Sequence, residues 1–276
     1  VQVWEGEGET PSADVENRVR QRHGIRAEVL SADDLRQMFP GISRDVTRGL
    51  LVPGNGFTVS PQRLVRTLAH LFVAAGGEIL AERAMKLIPN DGAPGYVVMT
   101  NVANRATGAV VVAAGAWSKA LIEPLGVRLK LETERGYHAM LLEPGFSPAL
   151  PISNKSRAFG VTPMEDGVRV AGTVEIAGLH APPDERRAKV LVTHARRLFP
   201  ELQANKVRYW MGFRPSTPDS LPFLGPAPGR EGLFLAFGHG HFGMTGGPPS
   251  CRLVARMIAG QSPGLDPEPY SARRFG

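Results

Sequence analysis

Residues 233–258, LFLAFGHGHFGMTGGPPSCRLVARMI, decide the fold. Leu233 to Phe237 is an apolar run of strand length. Gly238 to Gly243 is a glycine-rich turn, and Ser250 to Ile258 is a helix that Gly260 ends. A strand feeding a helix in this way is the joint of an α/β layer. The amino end of such a helix gathers unpaired backbone N–H groups and a partial positive charge. Glycines let a ligand approach that backbone closely. The joint therefore suits an anion, or an atom that becomes anionic during a reaction.

Working outward, Ala109 to Ala114 is a continuous apolar run, as expected of a strand buried on both faces, with a helix starting at Ala116 to Leu121. Upstream, Ser60 and Pro61 cap a helix carrying Val65, Leu68, Leu71, Phe72 and Ala75 at helical spacing, and Gly76-Gly77 closes it. Glu78 to Ile88 then reads as a strand and Gly95 to Asn101 as a short exposed one. Nearer the start, Ser12 to Arg22 reads as a polar helix, Ser31 to Asp34 as a capping box for a helix ending before Pro40, and Gly54 to Gly56 as a turn.

The middle of the chain has a different grain. Tyr137 to Leu142, Arg157 to Met164 and Val168 to Val174 alternate like strands, with a hairpin turn at Glu165 to Gly167. Asp184 to Phe199 is an amphipathic helix with Val190, Leu191, Leu198 and Phe199 near one face. A proline-rich stretch, 215–228, precedes the return to α/β, and a loose tail runs over 262–276. The expected architecture is α/β plus α+β. Residues 58–126 and 213–276 form a partial Rossmann-like layer, and 1–57 and 127–212 an antiparallel-sheet domain.

The 276 residues are 42% hydrophobic and carry a formal charge of +6. That hydrophobic share supports one large core or two smaller ones. The arginines are scattered, with no block of like charge and no zinc-finger or RNP pattern, so nucleic-acid binding is not expected. No apolar run approaches the roughly 20 residues of a membrane helix. One cysteine, Cys251, allows no internal disulfide, which fits a reducing compartment. The expected location is cytoplasmic or peripheral to the inner face of a membrane. The chain opens on Val1 rather than Met, without a signal-peptide pattern.

Several side chains could carry chemistry. Arg214, in Gly212-Phe-Arg-Pro215, offers a guanidinium fit to grip a carboxylate through two parallel hydrogen bonds. Tyr137 could add a hydroxyl at the same anion. His239 and His241 have metal-ligand spacing, but no Cys or carboxylate cluster completes a site, and no metal is expected. Cys251 reads as a small packing residue. No triad, nucleophile elbow or P-loop occurs.

Read together, 210–225 (WMGFRPSTPDSLPFLG) and 237–245 (FGHGHFGMT) resemble the carboxyl-terminal signature of the FAD-dependent D-amino-acid oxidase superfamily. The likeness is nearest to D-amino-acid dehydrogenases, with glycine and sarcosine oxidases behind. Residues 110–118 (VVVAAGAWS), 133–138 (TERGYH), 54–68 and 76–85 resemble other parts of the family in its order. The resemblance implies FAD as cofactor, with Met85, Ala114 and Gly115 along it and Gly240, His241, Phe242, Gly243 and Met244 around the flavin ring. It implies a small amino-acid or amine substrate, held by Arg214 with Tyr137 as a lesser candidate, and hydride transfer from Cα to flavin N5. The helix after Gly243 would face the N1 and C2-carbonyl edge, which gains electron density on reduction. Such a reaction needs placement more than a side-chain base.

The family opens with a strand, a Gly-x-Gly-x-x-Gly turn, a helix and an acidic residue for the ribose, and this chain has no such opening. Residues 246–251 (GGPPSC) also depart from the family's pattern at the helix start. About the first third of a family member is expected to be absent. The alternative reading is a non-catalytic truncated remnant, or a binding module, that cannot retain FAD.

Overall fold

The computed structural model describes residues 1–8, 15–90, 92 and 94–275. The start of the expected helix at Ser12 and the last residue of the tail lie outside them. By compactness the chain divides into two units. Unit 1 comprises 1–78, 136–174 and 182–212, and unit 2 comprises 79–135, 175–181 and 213–276.

Along the chain, β1 (Gln2–Glu5), α1 (Val15–Arg22), β2 (Glu28–Ser31), α2 (Ala32–Met38), β3 (Val46–Leu51) and α3 (Pro61–Ala74) belong to unit 1. Unit 2 follows with β4 (Ala84–Pro89), β5 (Tyr96–Thr100), β6 (Asn104–Thr107), β7 (Val110–Val112), a 3-10 turn over Gly115–Trp117, and α4 (Ser118–Ile122). Then come β8 (Glu132–Leu141), β9 (Ile152–Asn154), β10 (Phe159–Met164), β11 (Gly167–Ile176), α5 (Arg186–Leu198) and β12 (Val207–Ser216). The chain closes with β13 (Phe223–Pro226), β14 (Leu233–Phe237) and α6 (Gly243–Ile258) in unit 2.

Unit 1 is built on an eight-stranded sheet in the order β12-β8-β11-β10-β9-β1-β3-β2. Strand alternation gives it two unlike faces. Val3, Phe159, Val161, Val168 and Val170 share one buried cluster with Leu35 of α2 and Leu191, Ala195 and Leu198 of α5. Thr162 and Arg169, paired across β10 and β11, share the other face. The hairpin between these strands turns at Glu165-Asp166, where the sequence places it. The capping box at Ser31 is present: its hydroxyl accepts from Asp34 N–H, and the Asp34 carboxylate accepts from Ser31 N–H.

Unit 2 holds two three-stranded sheets, β13-β14-β7 and β4-β5-β6. One buried cluster joins them, including Leu87, Tyr96, Val112, Ile122, Phe223, Leu233 and Phe237. β7 and β14 are parallel, with Val112 opposite Leu235.

Five readings change. The strand expected over 78–88 begins only at Ala84, because Ala84 already pairs with Thr100, the last residue of β5. The partner then turns away, with Asn101 N–H donating to the Arg83 carbonyl. β5 is half-buried rather than exposed, anchored by Tyr96, whose hydroxyl donates to the Glu231 carbonyl. β7 is shorter than expected and lies at a sheet edge with Val111 43% exposed, so it is not covered on both faces. Cys251 is exposed rather than buried in the core. Finally, α6 starts at Gly243, not Ser250, and runs through Pro248 and Pro249.

Two adjacent prolines remove two rungs from a helix, so the sequence favours a start beyond them. The helix extends because its first turn is fixed by other bonds. Thr245 and Gly246 N–H donate to the Phe242 carbonyl, and Ser250 Oγ donates to the Gly246 carbonyl.

Candidate functional site in unit 2

The carboxyl ends of parallel β7 and β14 open on the same side, the position where open α/β sheets bind ligands. The first strand runs into the Gly115–Trp117 turn and the second into the glycine turn at 238–243. Both turns meet the end of β12. Gly240 N–H donates to the Pro215 carbonyl at 2.9 Å. Trp117 packs edge-on against Phe213, with centroids 5.3 Å apart. Arg214 lies between these two anchor points, so the structure brings together Gly115, Arg214 and the glycine turn.

The turn depends on glycine. Gly238 and Gly240 have φ of 93° and 51°, a region costly for residues with a Cβ. Gly238, Gly240 and Gly243 also stand at G-x-G-x-x-G spacing between a strand and a helix. That signal was open to view in the sequence. No strand follows α6 among the described residues, so the turn lacks the βαβ setting of a pyrophosphate site.

α6 begins without a side-chain cap and without an acidic residue in its first turn, which leaves its positive end uncompensated. Phe242 and Met244 beside it are 63% and 50% exposed. Two buried polar atoms nearby have no hydrogen-bond partner among the described residues: Arg214 Nη1 and Ser216 Oγ. A Cβ on Gly240 would lie 3.4 Å from that serine oxygen. Unsatisfied buried donors are costly, and a ligand is one way to satisfy them. Burial lowers the pKa of the Arg214 guanidinium, and the charge of Glu134 opposes that shift.

The two histidines have separate partners. His239 Nε2 meets Ser250 Oγ at 2.9 Å. The serine proton is already given to the Gly246 carbonyl, so His239 Nε2 is the donor in that contact. Burial lowers the His239 pKa, which favours the neutral ring. His241 Nε2 lies 2.8 Å from a Glu134 carboxylate oxygen. Glu134 lies within the 133–138 segment, where its residue type alone does not mark it as a site residue. The partner is 107 residues away, and no local pattern announces it.

Ala114 flanks the Gly115 turn, and exposed Met85 lies on β4, in the other sheet of unit 2. Tyr137 falls in unit 1, buried, with its hydroxyl accepting from Asp184 N–H. It is three residues from Glu134 on β8, so the two project to opposite faces of the strand.

A family model described as FAD dependent oxidoreductase, DAO, matches residues 2–257. The chain is 38% identical to a D-amino-acid oxidase of Bradyrhizobium diazoefficiens, over 94% of this chain and 62% of that protein. It is 31% identical to a D-amino acid dehydrogenase of Rhizobium rhizogenes, over 92% of this chain and 62% of that one. The chain therefore spans less than two thirds of the length of these curated relatives. A glycine oxidase structure from Geobacillus kaustophilus matches with TM-score 0.82 at 23% identity, covering 98% of this chain and 74% of that one. That likeness establishes the same fold.

Proposed function

This chain belongs to the DAO family of FAD dependent oxidoreductases, and on that premise we propose that it oxidises the Cα–N bond of an amino acid or secondary amine. In this reading the backbone from Gly240 to Met244 surrounds the flavin ring of FAD, and Ala114 and Gly115 lie along the cofactor. Met85 serves the adenine side through its backbone. Arg214 grips the substrate carboxylate. Bound FAD supplies a two-electron acceptor for the Cα–H pair.

The residues present suit one end of that cofactor. An uncapped helix N-terminus and glycine backbone are the donor set that favours a ring edge gaining electron density. The strand-first fingerprint that carries a pyrophosphate on its helix is not among these residues. The observation that carries the reading is Arg214: a half-buried cation with a donor left open, beside the glycine turn.

The test is a visible spectrum of the purified chain, before and after adding FAD. Flavin bands support the enzyme. A colourless protein that ignores FAD supports the second reading, a remnant or binding module. In an active form, Arg214→Ala raises KM for carboxylate substrates on the order of 100-fold, as expected for a lost charged grip. An unchanged KM removes Arg214 from the site.

Among the described residues no helix is long and apolar enough to cross a membrane. The single cysteine, free and exposed, supports placing the chain in a reducing compartment, the cytoplasm or the inner face of a membrane.

A further inference from the structure

An α-amino acid at neutral pH carries its nitrogen as an ammonium, whose lone pair is tied up in an N–H bond. The Cα–H electron pair cannot leave until that lone pair is released to form C=N, so a proton must depart first. The groups facing the glycine turn within unit 2 limit where it goes. Glu134 comes from β8, Arg214 from β12 and His239 from the turn itself, while the first turn of α6 contributes no acid. Arg214 is a cation. His239 is half-buried and its Nε2 proton is committed to Ser250.

His241 is the group with capacity left. A carboxylate only accepts, so the 2.8 Å contact to Glu134 puts the neutral ring's proton on Nε2. The lone pair then sits on Nδ1, which has no partner among the described residues. The ring is half-exposed, as a group that meets a ligand must be.

We propose that His241 takes the ammonium proton of an amino acid whose carboxylate Arg214 holds, and that Glu134 keeps His241 in the tautomer able to take it. This rests on the function proposed above. The ammonium N–H bond breaks, its electron pair stays on nitrogen, and a new N–H bond forms at His241 Nδ1. The imidazolium then rests on the Glu134 carboxylate. The freed lone pair can then close the C=N bond as the Cα–H electron pair leaves, for which bound FAD would supply the two-electron acceptor.

The test uses the full chain with isotope-labelled histidine and two unreactive probes. 2-Aminoisobutyrate has an ammonium and a carboxylate but no Cα hydrogen, and isobutyrate has the carboxylate alone. The expected result is that 2-aminoisobutyrate moves the His241 ring resonances and isobutyrate leaves them in place, with Glu134→Gln reducing the response by half or more. Equal responses to both probes, or none to the ammonium probe while it still binds through Arg214, overturn the inference. If neither probe binds, the Arg214 grip fails and both readings fall.

With turnover, His241→Asn lowers kcat on the order of 100-fold near neutral pH, with KM little changed. The loss narrows as pH rises and free amine accumulates. A loss that ignores pH, or that appears as KM, marks a residue that merely supports the loop and overturns the proposal. His241→Gln serves as the second variant, and oxidation with an unaltered pH profile in both sinks this inference while leaving the proposed function standing.

Discussion

α3 and α5 are nearly equal in length, 14 and 13 residues, and each has an apolar stripe at helical spacing. Their surroundings differ. α5 buries Ala188, Leu191, Ala195 and Leu198, the last three in one cluster with the valines of the large sheet. α3 buries nothing: Val65, Leu68, Leu71 and Phe72 all face outward. Periodicity declares that a helix has an apolar face, but it does not say what covers that face. α5 is secured by packing and α3 by its ends, where Ser60 Oγ accepts from Arg63 N–H and Gly77 N–H donates to the Phe72 carbonyl.

Four measurements can break or sharpen this contrast. Leu191→Ala should cost on the order of 4 kcal/mol in denaturant unfolding, the lost transfer energy plus a cavity. A cost below about 1 kcal/mol would mean that α5 does not seal this core.

The second test uses acid on the same sheet's other face. His138 stacks on Trp210 with centroids 4.9 Å apart. Burial first, then the charges of Arg169 and Arg208, push its pKa down to about 4. The unfolded chain titrates near 6.5. The neutral ring's contribution is therefore complete above pH 6.5 and is lost as pH falls toward 4. The linked loss reaches about 3 kcal/mol. Replacing His138 with Gln should flatten the fall of Tm in that window, and an unchanged slope would show that the ring titrates as freely folded as unfolded.

Third, Ser60→Ala should cost about 1 kcal/mol by removing the α3 cap. Fourth and smallest, Leu68→Ala should stay within about 0.5 kcal/mol, as for an exposed site. A loss of the size expected for Leu191→Ala would mean that a partner covers the α3 stripe in solution.

The same contrast explains what was legible in the sequence. The caps of α2 and α3, the hairpin at Glu165-Asp166 and strand β14 are local chemistry, and each stands where its residues announce it. Ends set by distant partners were less readable. β4 starts where β5 stops, and α6 gains its first turns from bonds that the prolines conceal. α5 reads with Val190, Leu191, Leu198 and Phe199 near its apolar face; Leu191, Leu198 and Phe199 are buried in the core, whereas Val190 is 38% exposed and Ala188 and Ala195 complete the buried stripe. Of the site, Arg214 and the glycine turn were visible as residue types in a pattern. Glu134 was not, because its role depends on a pairing across 107 residues.

The prolines of α6 have a mechanical consequence. Neither Pro248 nor Pro249 can donate a hydrogen bond, so the carbonyls of Met244 and Thr245 receive none from the next turn. Tension applied at the helix tip is not passed along an unbroken ladder of amides. The opening turn can tilt toward whatever it touches while the shaft from Ser250 onward keeps its place against Leu224. The His239–Ser250 link spans that break and limits how far the tip can travel.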